Sequence, residues 1–220
     1  AAVKLCERDS DPSFAVRNTA PKGRSETWSE GEIARIAKQA WKEGYRGLAA
    51  LLAVAWDTQF SPVDCRTLTP AQRRHDARGV FFEIARGKTD KEVLGTLSRR
   101  TVRMVDAYLG KLGFDLTADA PIFRNRSGAP YSKDTLGDDF RDIRAIVFPG
   151  ETRQLRDVRR SGAVEALAGE VDVGAMAAKM GNSINKSRSL QETYLPHRTA
   201  TVRLADEARK RGRRVLRENG

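Results

Sequence analysis

The most constraining feature of this sequence is Leu48–Trp56, nine residues that are almost all apolar. The run is too short to cross a bilayer, which takes about 20 apolar residues, and too long for an ordinary half-buried strand. It predicts a helix buried on every side, around which the rest of the chain must pack. A second helix is expected just before it. Ser29-Glu30-Gly31-Glu32 reads as a capping box, in which serine and glutamate each satisfy an exposed amide, and Ile33, Ile36, Ala37 and Ala40 follow at helical spacing.

Downstream, Ser61-Pro62-Val63-Asp64 places a capping serine, a proline at the first helical position and an acid three residues after the cap, so a short helix should begin there. Val80, Phe81, Phe82 and Ile84, then Val93 and Leu94 after the polar turn Gly87-Lys88-Thr89-Asp90, read as a β-hairpin. Helical spacing returns from Ser98 through Val102, Val105, Leu109 and Leu112. Ile122–Gly128 reads as a strand running into a turn, and Ser132–Phe148 as a helix. Further helices are expected around Leu155–Ala168 and Val173–Met180, near Tyr194, and from Thr199 onward. The fold class is α+β, mostly helical, with a small antiparallel sheet. Residues 1–26 mix charge, proline and small polar residues and read as a linker or arm; 27–220 read as one domain.

Composition narrows the partners. Forty Lys and Arg against twenty-nine Asp and Glu give a formal net charge of +11, and a polyanion is the natural complement. Double-stranded DNA leads. The chain shows no apolar span or signal-peptide pattern, so a membrane partner is not expected and a cytoplasmic location is. RNA is disfavoured by the scarcity of aromatics and the absence of a stacking motif. Cys6 and Cys65 read as reduced thiols, and His75 and His197 stand alone as surface residues, so neither a metal nor a small-molecule cofactor is expected.

Several segments in order resemble the catalytic domain of the tyrosine recombinases, the phage-integrase family. Ala55–Asp64 sits where that family has an apolar helix followed by a Gly-x-Arg-x-Ser/Pro-Glu turn, and Arg86–Glu92 is similar to the hairpin turn that carries its lysine. Pro121–Arg124 with Gly128–Ser132 resembles its strand and loop before the second box, here Arg153-Gln154-Leu155-Arg156. Lys179-Met180-Gly181-Asn182 and Glu192-Thr193-Tyr194-Leu195-Pro196 resemble its Leu-Gly-His and nucleophile segments.

The resemblance implies site-specific strand cleavage and rejoining through a 3′-phosphotyrosine at Tyr194, with no metal. Lys88 would be the general acid and Arg156 the phosphate clamp. It also implies other protomers assembled on DNA, with Val202, Leu204 and Ala205 as candidates for a helix exchanged between them. The C-terminal run from Arg209 to Arg214 reads as a solvated face or as phosphate contacts. The family usually carries a core-binding domain ahead of the catalytic one, and only a linker is recognisable there.

Three positions depart from the pattern. Ser61 stands in place of the first arginine, Arg153 in place of a histidine or lysine, and Asn182 in place of the Leu-Gly-His histidine. Arg153 keeps a charge and Asn182 keeps a donor, but the Ser61 hydroxyl cannot replace a guanidinium; Arg66, Arg159 and Arg160 are the nearby arginines that would compensate. The alternative function is therefore a degenerate recombinase-fold module that binds DNA as an accessory or regulator.

Overall fold

The computed structural model describes residues 25–85, 92–169 and 171–180. The expected helices near Tyr194 and from Thr199 onward lie outside the described residues.

The first helix, α1 (Glu30–Lys42), begins at the anticipated capping box: Ser29 Oγ accepts from the Glu32 amide at 3.3 Å, and the Glu32 carboxylate accepts from the Ser29 amide at 2.8 Å. It buries Ile33, Ile36, Ala37 and Ala40. Helix α2 (Arg46–Thr58) is the buried central helix, with Leu48, Leu51, Leu52 and Val54 fully inaccessible. Neighbours surround it: α1, α3 (Pro62–Arg66), β3 (Glu92–Thr96), α4 (Arg99–Leu109), α5 (Lys133–Val147) and α6 (Asp157–Ala168) all pack against it. A fully apolar helix can only be satisfied by such enclosure. Truncating one of its leucines to alanine removes about 2–5 kcal/mol of stability.

The sheet has three antiparallel strands in the order β1 (Arg73–Asp76), β2 (Gly79–Ala85), β3. Strands β2 and β3 form the anticipated hairpin and pair Ile84 with Val93. Strand β1 was not anticipated. Its sequence, Arg73-Arg74-His75-Asp76, has no apolar face; it is an edge strand created by pairing with Val80–Phe82 and by the Asp76 carboxylate, which accepts from the Arg78 and Gly79 amides. Strand β3 crosses the end of α2 at Gly95, where a Cβ would lie 2.6 Å from Thr58 and Phe60.

The expected strand at Ile122–Gly128 is instead irregular, with one isolated bridge between Arg124 and Pro130. Its polar groups are satisfied by the body of the fold: the Ile122 amide donates to the Leu68 carbonyl at 2.7 Å, and the Arg124 amide to Tyr108 Oη at 3.0 Å. No neighbouring strand was needed. Helices α4 and α5 start at Ser98 and Ser132, as their caps predict, and α7 (Val173–Met180) closes the described part against β3 and α6.

Candidate functional site

The end of α2 is where the candidate residues begin to converge. Gln59 terminates the helix in the left-handed region at φ 60°, and its side chain lies over Gly162 of α6, where a Cβ would stand 2.0 Å from it. Ser61 then caps α3. Its hydroxyl donates to Asp64 Oδ2 at 2.6 Å and accepts from the Asp64 amide at 3.3 Å. The Ser61 hydroxyl is thus occupied by local structure.

A guanidinium does reach this place, from α6. Arg159, only 8% exposed, donates from Nη1 to the Gln59 carbonyl at 2.7 Å and from Nη2 to the Met180 carbonyl, tying the end of α2 to the end of α7. Lys179 reaches the neighbouring Asp57 carbonyl at 3.0 Å. Two cations therefore sit at the negative end of α2, where the helix dipole favours them. Burial pushes the adjacent Cys65 thiol well above its ordinary range, partly opposed by the Arg159 charge, which makes Cys65 an inert core residue.

Arg156 is placed differently from its expected position on a core helix beside Leu155. It precedes α6 by one residue and is exposed, while Leu155 is buried. Its side chain lines a groove of about 660 Å³ between α3, α5 and the segment 152–156, together with Pro62, Arg66, Lys133 and Arg144. Arg66 donates to the Tyr131 carbonyl at 3.3 Å, and Arg144 to the Arg153 carbonyl. None of these four cations forms an ion pair with a described residue, whereas Arg141 at the rim is paired with Asp138 at 2.7 Å.

Arg153 faces the other way, toward α1. It contacts Glu32 at 2.6 and 3.1 Å and Glu151 at 2.6 and 2.8 Å, donates to the Thr27 carbonyl, and stacks 3.9 Å from the centre of the Trp28 ring. These contacts pull the Glu32 and Glu151 carboxyls down to about 2. The Trp28 amide in turn donates to Ser161 Oγ at 2.7 Å, and its indole N–H to the Gln154 carbonyl at 3.0 Å. Arg153 joins the start of α1 to the segment before α6.

The structure therefore sets Arg159 against the Gln59 carbonyl, two residues before Ser61, places Arg156 in the groove that Pro62 also lines, and turns Arg153 toward α1. Lys88, Asn182 and Tyr194 lie outside the described residues. Arg159 was anticipated only as a compensating neighbour. The signal that could have raised it was its spacing on the expected helix: Ala163 lies four residues after Arg159, so the two share a face, and that face is the buried one. Among the described residues no group of three His, Cys, Asp or Glu could hold a metal ion, and no helix is long and apolar enough to cross a membrane.

The sequence matches no family model and no curated protein. Solved structures do match. XerA recombinase aligns with 86% of this chain and 66% of its own at 17% identity and a TM-score of 0.66. A lambda integrase dimer bound to a core site aligns with 82% of this chain and 50% of its own at 16% identity, TM-score 0.60. The Tn1549 transposon integrase in complex with circular-intermediate DNA aligns with 86% and 66% at 12% identity, TM-score 0.60. The chain thus spans between half and two thirds of the length of these proteins. With its small antiparallel sheet beside an enclosed central helix, it has the fold of the tyrosine-recombinase catalytic domain.

Proposed function

We propose that this chain binds duplex DNA along the groove between α3, α5 and residues 152–156, and acts there as the catalytic domain of a site-specific recombinase or integrase. The observation that carries the reading is the row of cations Arg66, Lys133, Arg144 and Arg156, none of them ion-paired with a described residue, in a groove also lined by Pro62, the residue after Ser61. Such a row attracts a phosphate backbone, and contact with it releases counterions. Solved proteins of this fold include DNA complexes.

In the reaction, Tyr194 Oη attacks the phosphorus, a 3′-phosphotyrosine bond forms and the P–O5′ bond breaks. The 5′-oxygen leaves as a hydroxyl, taking its proton from Lys88, while the tyrosine proton passes to water; rejoining reverses each transfer. Arg156 meets the non-bridging oxygens from the groove. Arg159 supplies the charge that Ser61 lacks, and Asn182 donates a hydrogen bond. Arg153 acts on the segment that bears Arg156 and does not touch the phosphate. Other protomers assemble on the same DNA. A second reading, an accessory module without strand transfer, is favoured by the Ser61 hydroxyl being committed to Asp64.

A nicked duplex that traps the covalent adduct separates the readings. A weak adduct is expected, lost in Tyr194→Phe and increased by Ser61→Arg with Asn182→His. DNA binding without any adduct in either form supports the accessory reading. Absence of duplex binding overturns both.

A further inference from the structure

At the opposite end of α2 from Gln59 and Ser61, four cations line one small pocket of about 150 Å³: Arg46, Lys111, Arg124 and Arg126. Helix α2 has 13 residues, so about 20 Å separates this pocket from the candidate site. The lining contains no carboxylate, and none of the four cations forms an ion pair with a described residue. Asp139 is the acid whose carboxyl responds to Arg126, and it is already held by the Tyr131 hydroxyl at 2.9 Å.

The frame around these cations is tightly built. The Arg124 carbonyl lies against Gly47 so closely that a Cβ there would stand 2.0 Å from it. The Arg124 amide is fixed on Tyr108 Oη, which itself donates to the Ile122 carbonyl at 2.9 Å. Asn125 Oδ1 accepts from the Ser127 and Ala129 amides at 3.1 Å, folding the 124–130 turn back over the pocket. The Arg124 guanidinium is held by the Gly128 carbonyl at 3.2 Å and lies 5.5 Å from the Phe114 ring centre; that of Arg126 lies 4.2 Å from the Tyr45 ring centre. Arg124 Nε is buried and has no hydrogen-bond partner among the described residues.

Holding four like charges around one small space costs Coulomb free energy. One tetrahedral oxyanion offsets it. It carries several acceptor oxygens and a charge opposite to the lining, and the pocket has room for such a group but not for a base with its sugar.

We propose that this pocket is a phosphate-binding site, taking either a free polyphosphate or one phosphodiester of a duplex. The second form rests on the function proposed above. With a rise of about 3.4 Å per base pair along the duplex axis, a separation of about 20 Å parallel to that axis corresponds to about six base pairs between that phosphodiester and the one beside Ser61. The contact would orient the duplex along α2 without reading its sequence.

The site can be tested with tripolyphosphate alone and with DNA, on the full chain and on Arg46→Gln with Lys111→Gln, two changes that leave the Arg124 frame intact. In amide-resolved NMR, tripolyphosphate should shift Gly44, Gly47 and Gly128, and the double variant should lose those shifts. No shift at these glycines, or shifts that persist in the variant, overturns the site. With a duplex of about 30 base pairs, the log–log salt slope should fall by one to two in the double variant and stay unchanged in the equally charged Lys38→Gln with Lys42→Gln control. A lowered slope assigns the site to the DNA backbone. An unchanged slope, together with tripolyphosphate shifts that the full chain shows and the double variant loses, assigns it to a free anion. Tripolyphosphate binding in a protein that ignores duplexes leaves this site standing while the proposed function fails.

Discussion

Two arginine-rich regions lie within a few residues of each other and behave in opposite ways. At Arg153 one guanidinium meets two carboxylates, Glu32 and Glu151, and the face of Trp28. In the groove at Arg156, three other cations gather; Asp134 and Asp138 also line it, yet none of the four cations forms an ion pair with a described residue. The first arrangement uses charge to join distant parts of the chain; the second keeps charge available for a partner. What separates a structural arginine from a binding arginine here is whether the fold brings an acid into contact with it, not its own sequence position.

The largest effect expected from breaking this contrast is at Arg153→Ala. It leaves two partly buried carboxylates without their cation and uncovers Trp28, so unfolding should become easier by about 2–4 kcal/mol, while duplex affinity below the melting transition stays within about twofold. Chemical denaturation and a binding isotherm check both halves; a large loss of affinity in a folded variant would place Arg153 in the binding face. Next comes Lys133→Ala with Arg156→Ala. Affinity for duplex DNA should fall about tenfold or more at moderate salt and the salt slope by about two, with stability changed by no more than about 0.5 kcal/mol. A stability loss matching that of Arg153→Ala would erase the distinction between the regions.

Gly162→Ala probes the ground between them. The new Cβ must displace the Gln59 side chain, and about 1–3 kcal/mol of destabilisation is expected by thermal melting, relieved when Gln59→Ala is added. The last test is with pH. Glu32 and Glu151 are held at about 2 in the fold, below the ordinary carboxylate value near 4.5, so their contribution is complete above that value and disappears as pH falls toward 2. Acid titration of stability should show this loss, and Arg153→Met should flatten that part of the curve; groove variants should leave it unchanged.

Much of the fold was legible because its determinants are local. Ser29, Ser61, Ser98 and Ser132 each mark a helix start within four residues of sequence, and the apolar run at Leu48 can be read without knowing what covers it. Strand β1 was not legible because a polar edge strand exists only through its partner, and Ile122–Gly128 was misread because its amides are satisfied by Leu68 and Tyr108. The recombinase-like order of segments could be read from the chain, and the solved structures agree with it at the level of the fold.

The site was legible only in part, for the same reason. Sequence could put Arg153, Arg156 and Arg159 on or near one helix, since three-residue spacing is a local property. It could not assign them, because Arg153 is claimed by Glu32 from 121 residues away, Arg159 by the carbonyl of Gln59 from 100 residues away, and Arg156 by neither. Caps and periodicity are decided within a turn of chain; the use of a charge is decided by whichever distant groups the tertiary structure brings against it.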